Sequence, residues 1–168
     1  GGLGHMGVKF AVALGAEVTV ITTSPSKAEA AHALGAHHVL LSTERDQMKQ
    51  AASRFDFILD TIPVAHDVQP YLKLLRRGGR MVVVGAIEPL PSIHGGLLLQ
   101  NNRSLGGSGV GGVAETQAML EFCAEHQIYP EVETIAMADI NQAFERLLKN
   151  DVRYRFVIDM STLEKLPA

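Results

Sequence analysis

The sequence predicts an α/β protein built on a doubly wound parallel sheet. Three observations carry that expectation. Segments of helical and strand character alternate along the 168 residues. The glycine-rich opening "GGLG" (Gly1, Gly2, Leu3, Gly4) feeds directly into a helical pattern. Met81 to Val84, "MVVV", is a continuous apolar run, as a central parallel strand covered on both faces requires.

The elements follow in order. Leu3, Met6, Phe10, Ala13 and Leu14 share a helical face, and Gly15 stops it. Glu17 to Thr22 is rich in β-branched residues and predicts a strand. A helix over Ser26 to Leu34 ends in "ALGA", the same four letters that follow the first helix at Ala13 to Ala16. We read them as matching helix-to-strand punctuation. "HHVLL" (His37 to Leu41) predicts a strand, Glu44 to Ala52 a short helix, and "FDFILD" (Phe55 to Asp60) another strand. Val68, Tyr71, Leu72 and Leu75 then mark one side of a helix whose C-terminus carries Arg76 and Arg77, and Gly78-Gly79 turns the chain into the Met81 to Val84 strand. "SLGGSGVGG" (Ser104 to Gly112) leads to a helix with Met119, Phe122 and Cys123 inward. Asp139 and Gln142 form a capping signature ahead of a stripe at Ile140, Ala143, Phe144, Leu147 and Leu148, with Asn150 closing that helix. Tyr154 to Asp159 alternates like a half-buried strand.

Composition narrows the function classes. Hydrophobic residues make up 46% and charged residues 20%, with a formal net charge of −3, so no basic footprint points to nucleic acid. No apolar stretch reaches the roughly 18 residues of a membrane span. The single cysteine, Cys123, excludes an internal disulfide framework and points to a reducing, cytoplasmic compartment.

The glycines point to a nucleotide. Gly2, Gly4 and Gly7 match G-x-G-x-x-G literally, a helix start supplies amide donors for a pyrophosphate, and a strand ends about 20 residues downstream, where such folds read the ribose. A site for NAD places a carboxylate there. This chain has Thr22, Thr23, Ser24, Pro25, Ser26 and Lys27 instead, a set of hydroxyls and a cation suited to the 2′-phosphate of NADP. The same Ser and Thr residues also suit helix capping, and both roles coexist at one helix start.

Other residues are set aside. His37 and His38 are adjacent and no Cys/His cluster occurs, so no metal ligands are assigned. His5 suits a phosphate contact, first-turn packing or exposure. Cys123 sits on an apolar stripe and reads as core, and Asp56 and Asp60 flank a strand without a second carboxylate at useful spacing. No catalytic constellation is present in the sequence.

"GGLGHMGVKFA", "FDFILDT", "GGRMVVVGA", "GSGVGGVAETQAMLEFCAEH" and "INQAFERLLKNDVRYRFVID" together resemble the cinnamyl-alcohol-dehydrogenase-like branch of the zinc-containing medium-chain alcohol dehydrogenases. The resemblance covers nearly the whole chain, with its motifs in family order. It implies a Rossmann domain over 1–127 lacking its first strand, and a segment over 128–168 that returns to a catalytic domain. Gly1 and Gly4 then become the second and third fingerprint glycines, and Gly7 a close-packing glycine inside the helix. The implied NADP contacts are Gly1, Gly2, Leu3 and Gly4 at the pyrophosphate and Thr22, Thr23, Ser24 and Lys27 at the 2′-phosphate. Thr61 and Gly85 would lie near the ribose and nicotinamide, Ser108, Gly109 and Val110 at the nicotinamide end, and Arg153 would reach the pyrophosphate. The family interconverts primary alcohols and aldehydes, with a zinc whose ligands lie in an N-terminal domain outside this chain, and relatives dimerise through an edge strand, here near Ser104 to Ser108. A non-catalytic nucleotide-binding fragment and a zinc-independent quinone or enoyl reductase are the alternatives. His5-Met6 and the C-terminal pattern argue against the reductase.

Overall fold

A computed structural model describes residues 1–86, 88–149 and 151–163. Helix α1 (Gly2–Ala13) leads into strand β1 (Thr19–Thr22), and α2 (Ala28–Ala33) into β2 (His38–Leu41). Both helices end alike. Ala16 N–H donates to Ala11 C=O and Gly15 N–H to Val12 C=O; Ala36 N–H donates to Ala31 C=O and Gly35 N–H to His32 C=O. Gly15 and Gly35 have φ of +79° and +99°, so each "ALGA" closes its helix by the same left-handed glycine motif.

Helix α3 (Arg45–Gln50) precedes β3 (Phe55–Asp60), then α4 (Gln69–Leu72), β4 (Leu75–Val83), α5 (Gly96–Leu99) and β5 (Ser104–Gly107). Strands β3, β4 and β5 form a parallel sheet in that order, with Asp60, Val83 and Gly107 level at its C-terminal edge. Leu75 belongs to β4 and not to the preceding helix. Leu75 is fully buried opposite Phe55, and Arg76 to Gly79 bulge out before the ladder resumes at Arg80 opposite Phe57. Arg76 and Arg77 therefore sit in a strand bulge, Arg76 pairing with Asp56, and do not mark a helix C-terminus. Glycine is needed there because Gly78 has φ of +74° and a Cβ on Gly79 would stand 3.0 Å from Phe55 O.

Strands β1 and β2 form a second, separate parallel pair. Helix α1 lies over both sheets. Val8 packs with Ala31 and Ala36 on one side, while a Cβ on Gly7 would stand 3.1 Å from Leu59 of β3. Gly7 is thus the close-packing glycine that the resemblance implies. The main core gathers Val68, Leu72, Leu74, Leu75 and Met81 under β3 and β4.

Helix α6 (Val113–His126) starts at Gly112, whose N–H donates to Glu115 Oε2 at 2.7 Å. It fully buries none of its residues and Met119 is exposed, but Phe122 is half-buried and stacks on Phe10 of α1 at 6.1 Å, so the inward stripe expected there is met in part. Cys123 is half-buried, its thiol 3.6 Å from Met119 Sδ. The chain ends with β6 (Val132–Ala136), α7 (Ile140–Leu148) and β7 (Arg155–Asp159), the two strands forming a third parallel pair. Asp139 precedes α7 without a side-chain cap bond, because a 3₁₀ turn over Met137–Asp139 leads into the helix instead. Asn150 lies outside the described residues.

Candidate functional site

The candidate residues collect at α1 and at the C-terminal ends of the strands. Gly1 C=O accepts His5 N–H at 3.0 Å, which starts α1 at once, so the amides of its first turn have no intrahelical acceptor and face outward. Two cations flank this turn. The Arg155 guanidinium packs over Gly2 so closely that a Cβ there would overlap it. Lys27 and Arg155 both lie close enough to Gly1 for their charges to act on it. That is a strongly positive environment for an anion at a helix start.

Beyond β1 the chain makes a polar turn. Ser24 N–H donates to Thr22 Oγ1 at 3.2 Å, the Ser24 and Ser26 hydroxyls are 2.7 Å apart, and Pro25–Lys27 forms a 3₁₀ turn that puts Lys27 at the start of α2. No side-chain cap bond forms at Ser24 or Lys27, so these hydroxyls are not spent on capping. No carboxylate pairs with Lys27 among the described residues.

Thr61 follows β3 and reaches the first turn of α1: a Cβ on Gly4 would stand 3.3 Å from its Oγ1. Gly85 follows β4 and presses on the Thr61–Ile62 backbone, where any Cβ would lie 2.6 Å from Thr61 C. Ser108 follows β5, its N–H donating to Val83 O at 3.2 Å. Gly109 and Val110 are exposed beyond it. The structure thus gathers Gly1, Gly2, Gly4, Lys27, Thr61 and Gly85 at one edge, with Thr22 to Ser24 at the end of β1.

Arg153 is placed differently from Arg155. It lines an open depression of about 250 Å³ with Ala30, Ala33, Leu34, Glu131 and Tyr154, and its N–H donates to Glu133 Oε1 at 3.0 Å. Arg155, which the sequence reading passed over, holds the position over Gly2. The alternation of "YRFVID" puts Arg155 on the outward face, opposite Phe156 and Ile158, but its place over Gly2 comes from the docking of the segment.

His5 takes the packing role. It is 2% exposed and stacks on Tyr154 at 4.5 Å, with Nδ1 3.3 Å from Gly1 O and Nε2 accepting Glu131 N–H at 3.3 Å. Lys9 adds a second tie, donating to Tyr129 O at 2.7 Å and to Glu131 at 2.6 Å. These contacts seat the β6–β7 segment on α1, which is what brings Arg155 to Gly2.

A parallel α/β sheet with a glycine-started helix at its C-terminal edge defines a Rossmann-type fold. Residues 2–125 match the family described as zinc-binding dehydrogenase, and the chain belongs to that family. It is 48% identical over 169 residues to a probable cinnamyl alcohol dehydrogenase 2 of Picea abies, and 49% identical over 164 residues to the aldehyde reductase YahK of Escherichia coli. Those matches cover 98% and 97% of this chain; the chain spans about half the length of these relatives, 47% of each. Among solved structures, a cinnamyl alcohol dehydrogenase of Sorghum bicolor superposes with TM-score 0.92 at 46% identity over 100% of this chain and 48% of that one. One from Helicobacter pylori, complexed with NADP(H), superposes with TM-score 0.82 at 39% identity over 96% and 46%.

Proposed function

We propose that this chain is the NADP-binding part of an oxidoreductase that interconverts primary alcohols and aldehydes. The observation that carries the reading is the cationic glycine turn, Arg155 over Gly2 with Lys27 close by, beside a hydroxyl cluster that contains no carboxylate. The likeness to alcohol dehydrogenases and aldehyde reductases, one of them complexed with NADP(H), supports it.

When bound, the nicotinamide supplies the hydride chemistry. The residues of this chain bind and orient it. The α1 amides from Gly2 to Gly4, with Leu3 among them, hold the pyrophosphate, and Arg155 neutralises it, with Arg153 further along the same segment. Thr22, Thr23, Ser24 and Lys27 hold the 2′-phosphate. Thr61 and Gly85 bound the path of the dinucleotide, and Ser108, Gly109 and Val110 fix its nicotinamide end. The described residues bring no three His, Cys, Asp or Glu side chains together as metal ligands. We place the zinc in a catalytic domain outside these residues, to which 128–168 belongs. A cytoplasmic location and a homodimer through the free edge of β5 complete the proposal; no described helix is long and apolar enough to cross a membrane.

Calorimetric titration with NADP and NAD tests this. Hydrogen bonds to charged groups contribute ~1.5–3 kcal/mol, so Lys27→Ala weakens NADP by roughly 10- to 100-fold and leaves NAD little changed. Arg155→Ala weakens both nucleotides alike. Equal loss of both in Lys27→Ala would remove the 2′-phosphate assignment.

A further inference from the structure

A carboxylate and an imidazole face each other where β3 runs out. Asp60 ends the strand with a side chain 2% exposed, and His66, later in the same loop, is 14% exposed. Asp60 Oδ2 and His66 Nε2 stand 2.9 Å apart, and neither atom has a hydrogen-bond partner. Their other polar atoms are committed: Ile62 N–H donates to Asp60 Oδ1 at 3.0 Å, and His66 Nδ1 lies 2.8 Å from Val64 O.

A carbonyl oxygen only accepts, so His66 Nδ1 carries a hydrogen. A neutral imidazole has one N–H, which would leave the bare Nε2 facing a buried carboxylate at contact distance. Two acceptors so placed repel, and an unpaired buried carboxylate is costly. A second proton on Nε2 converts the repulsion into an ion pair. The other groups facing the pair are Tyr71 of α4, whose ring meets His66 edge-on at 6.1 Å, and Glu88, which accepts Ala65 N–H at 3.2 Å. Asp67 turns its carboxylate to Gln69 N–H instead.

The loop between the two partners is the one that carries Thr61 to Gly4 and underlies Gly85. We propose that Asp60 and His66 form an imidazolium–carboxylate pair that positions Thr61 to Ala65 against the first turn of α1 and so shapes the dinucleotide site. The consequence for nucleotide rests on the reading given under Proposed function, whereas the proton count and the loop anchoring do not.

Nitrogen NMR of the His66 ring, amide hydrogen exchange of residues 61–65 and NADP titration test it together. A ring spectrum in which both nitrogens carry protons supports the pair. In Asp60→Asn the side-chain amide donates to Nε2 while its oxygen keeps Ile62, so the loop stays protected. His66→Ala speeds exchange at Ile62 and Ala65 by about tenfold or more and weakens NADP about tenfold. His66→Gln, which keeps a donor toward Asp60, restores most of both. A bare Nε2 in the unmodified protein overturns the ion pair, and unchanged exchange in His66→Ala overturns the anchoring. If His66→Ala does not fold, the ring spectrum and His66→Gln decide. An unmodified protein that binds neither nucleotide removes the NADP reading, while ring protonation and loop exchange still judge the pair.

Discussion

His5 shows how one side chain sets the geometry of a site from behind its glycine turn. Its ring is held between Gly1 O and Glu131 N–H, an arrangement that fits only the neutral tautomer protonated at Nδ1, because Nε2 accepts. Burial is the main cause of a value below the ordinary one for histidine, reinforced by Lys9 and opposed by the backbone bonds to Gly1 and Gly2. The sign follows. A folded value below the unfolded one, about 6.5, means the unfolded chain binds the proton first. The stability from neutral His5 is therefore fully present above about pH 6.5 and is lost as pH falls toward the lower folded value. Thermal melts from pH 7.5 to 5 (~1 unit either side of the reference) should show a falling Tm that flattens in His5→Asn. An equal slope in that variant would place the pH dependence elsewhere.

Helix ends were the most legible elements because their cause is local. The repeated "ALGA" fixed both stops, since only glycine reaches the left-handed conformation without strain. Gly35→Ala is expected to cost about 1 kcal/mol from that strain, plus the crowding of Val12, which stands 3.3 Å from the added Cβ. Gly15→Ala meets open space and costs the strain alone, so denaturant melts should rank Gly35→Ala as the more destabilising of the two. What the sequence hid was tertiary. Leu75 has helical spacing from Leu72, yet it enters β4 because the Arg76 to Gly79 bulge lets the strand begin early and bury it. Met119 has the spacing of a core residue yet stays exposed, whereas Phe122 on the same stripe stacks on Phe10 of α1. In the site, the glycine turn and the hydroxyl run could be read directly. The place of Arg155 over Gly2 depends on how β7 docks through His5 and Lys9, and no local pattern encodes that docking.

At the scale of the molecule, the sheet is divided. Strand β1 pairs only with β2 and β3 only with β4 and, among the described residues, each leaves its other edge without a strand partner, while α1 packs across both. Unpaired strand edges invite pairing with another chain. Two apolar side chains of β3, Phe57 at 54% and Leu59 at 41% exposure, add an uncovered patch beside that edge. A polypeptide of these 168 residues alone is therefore expected to self-associate as concentration rises and to melt with weak cooperativity. A strand-forming apolar segment joined ahead of Gly1 would enter between β1 and β3 under α1, satisfy both edges and cover Phe57 and Leu59. It should suppress association and raise the melting temperature together. Light scattering across a concentration series checks the first effect and calorimetry the second. Because one cause underlies both, a segment that raised the melt but left the scattering unchanged would show that association proceeds through another surface, the free edge of β5 being the next to test.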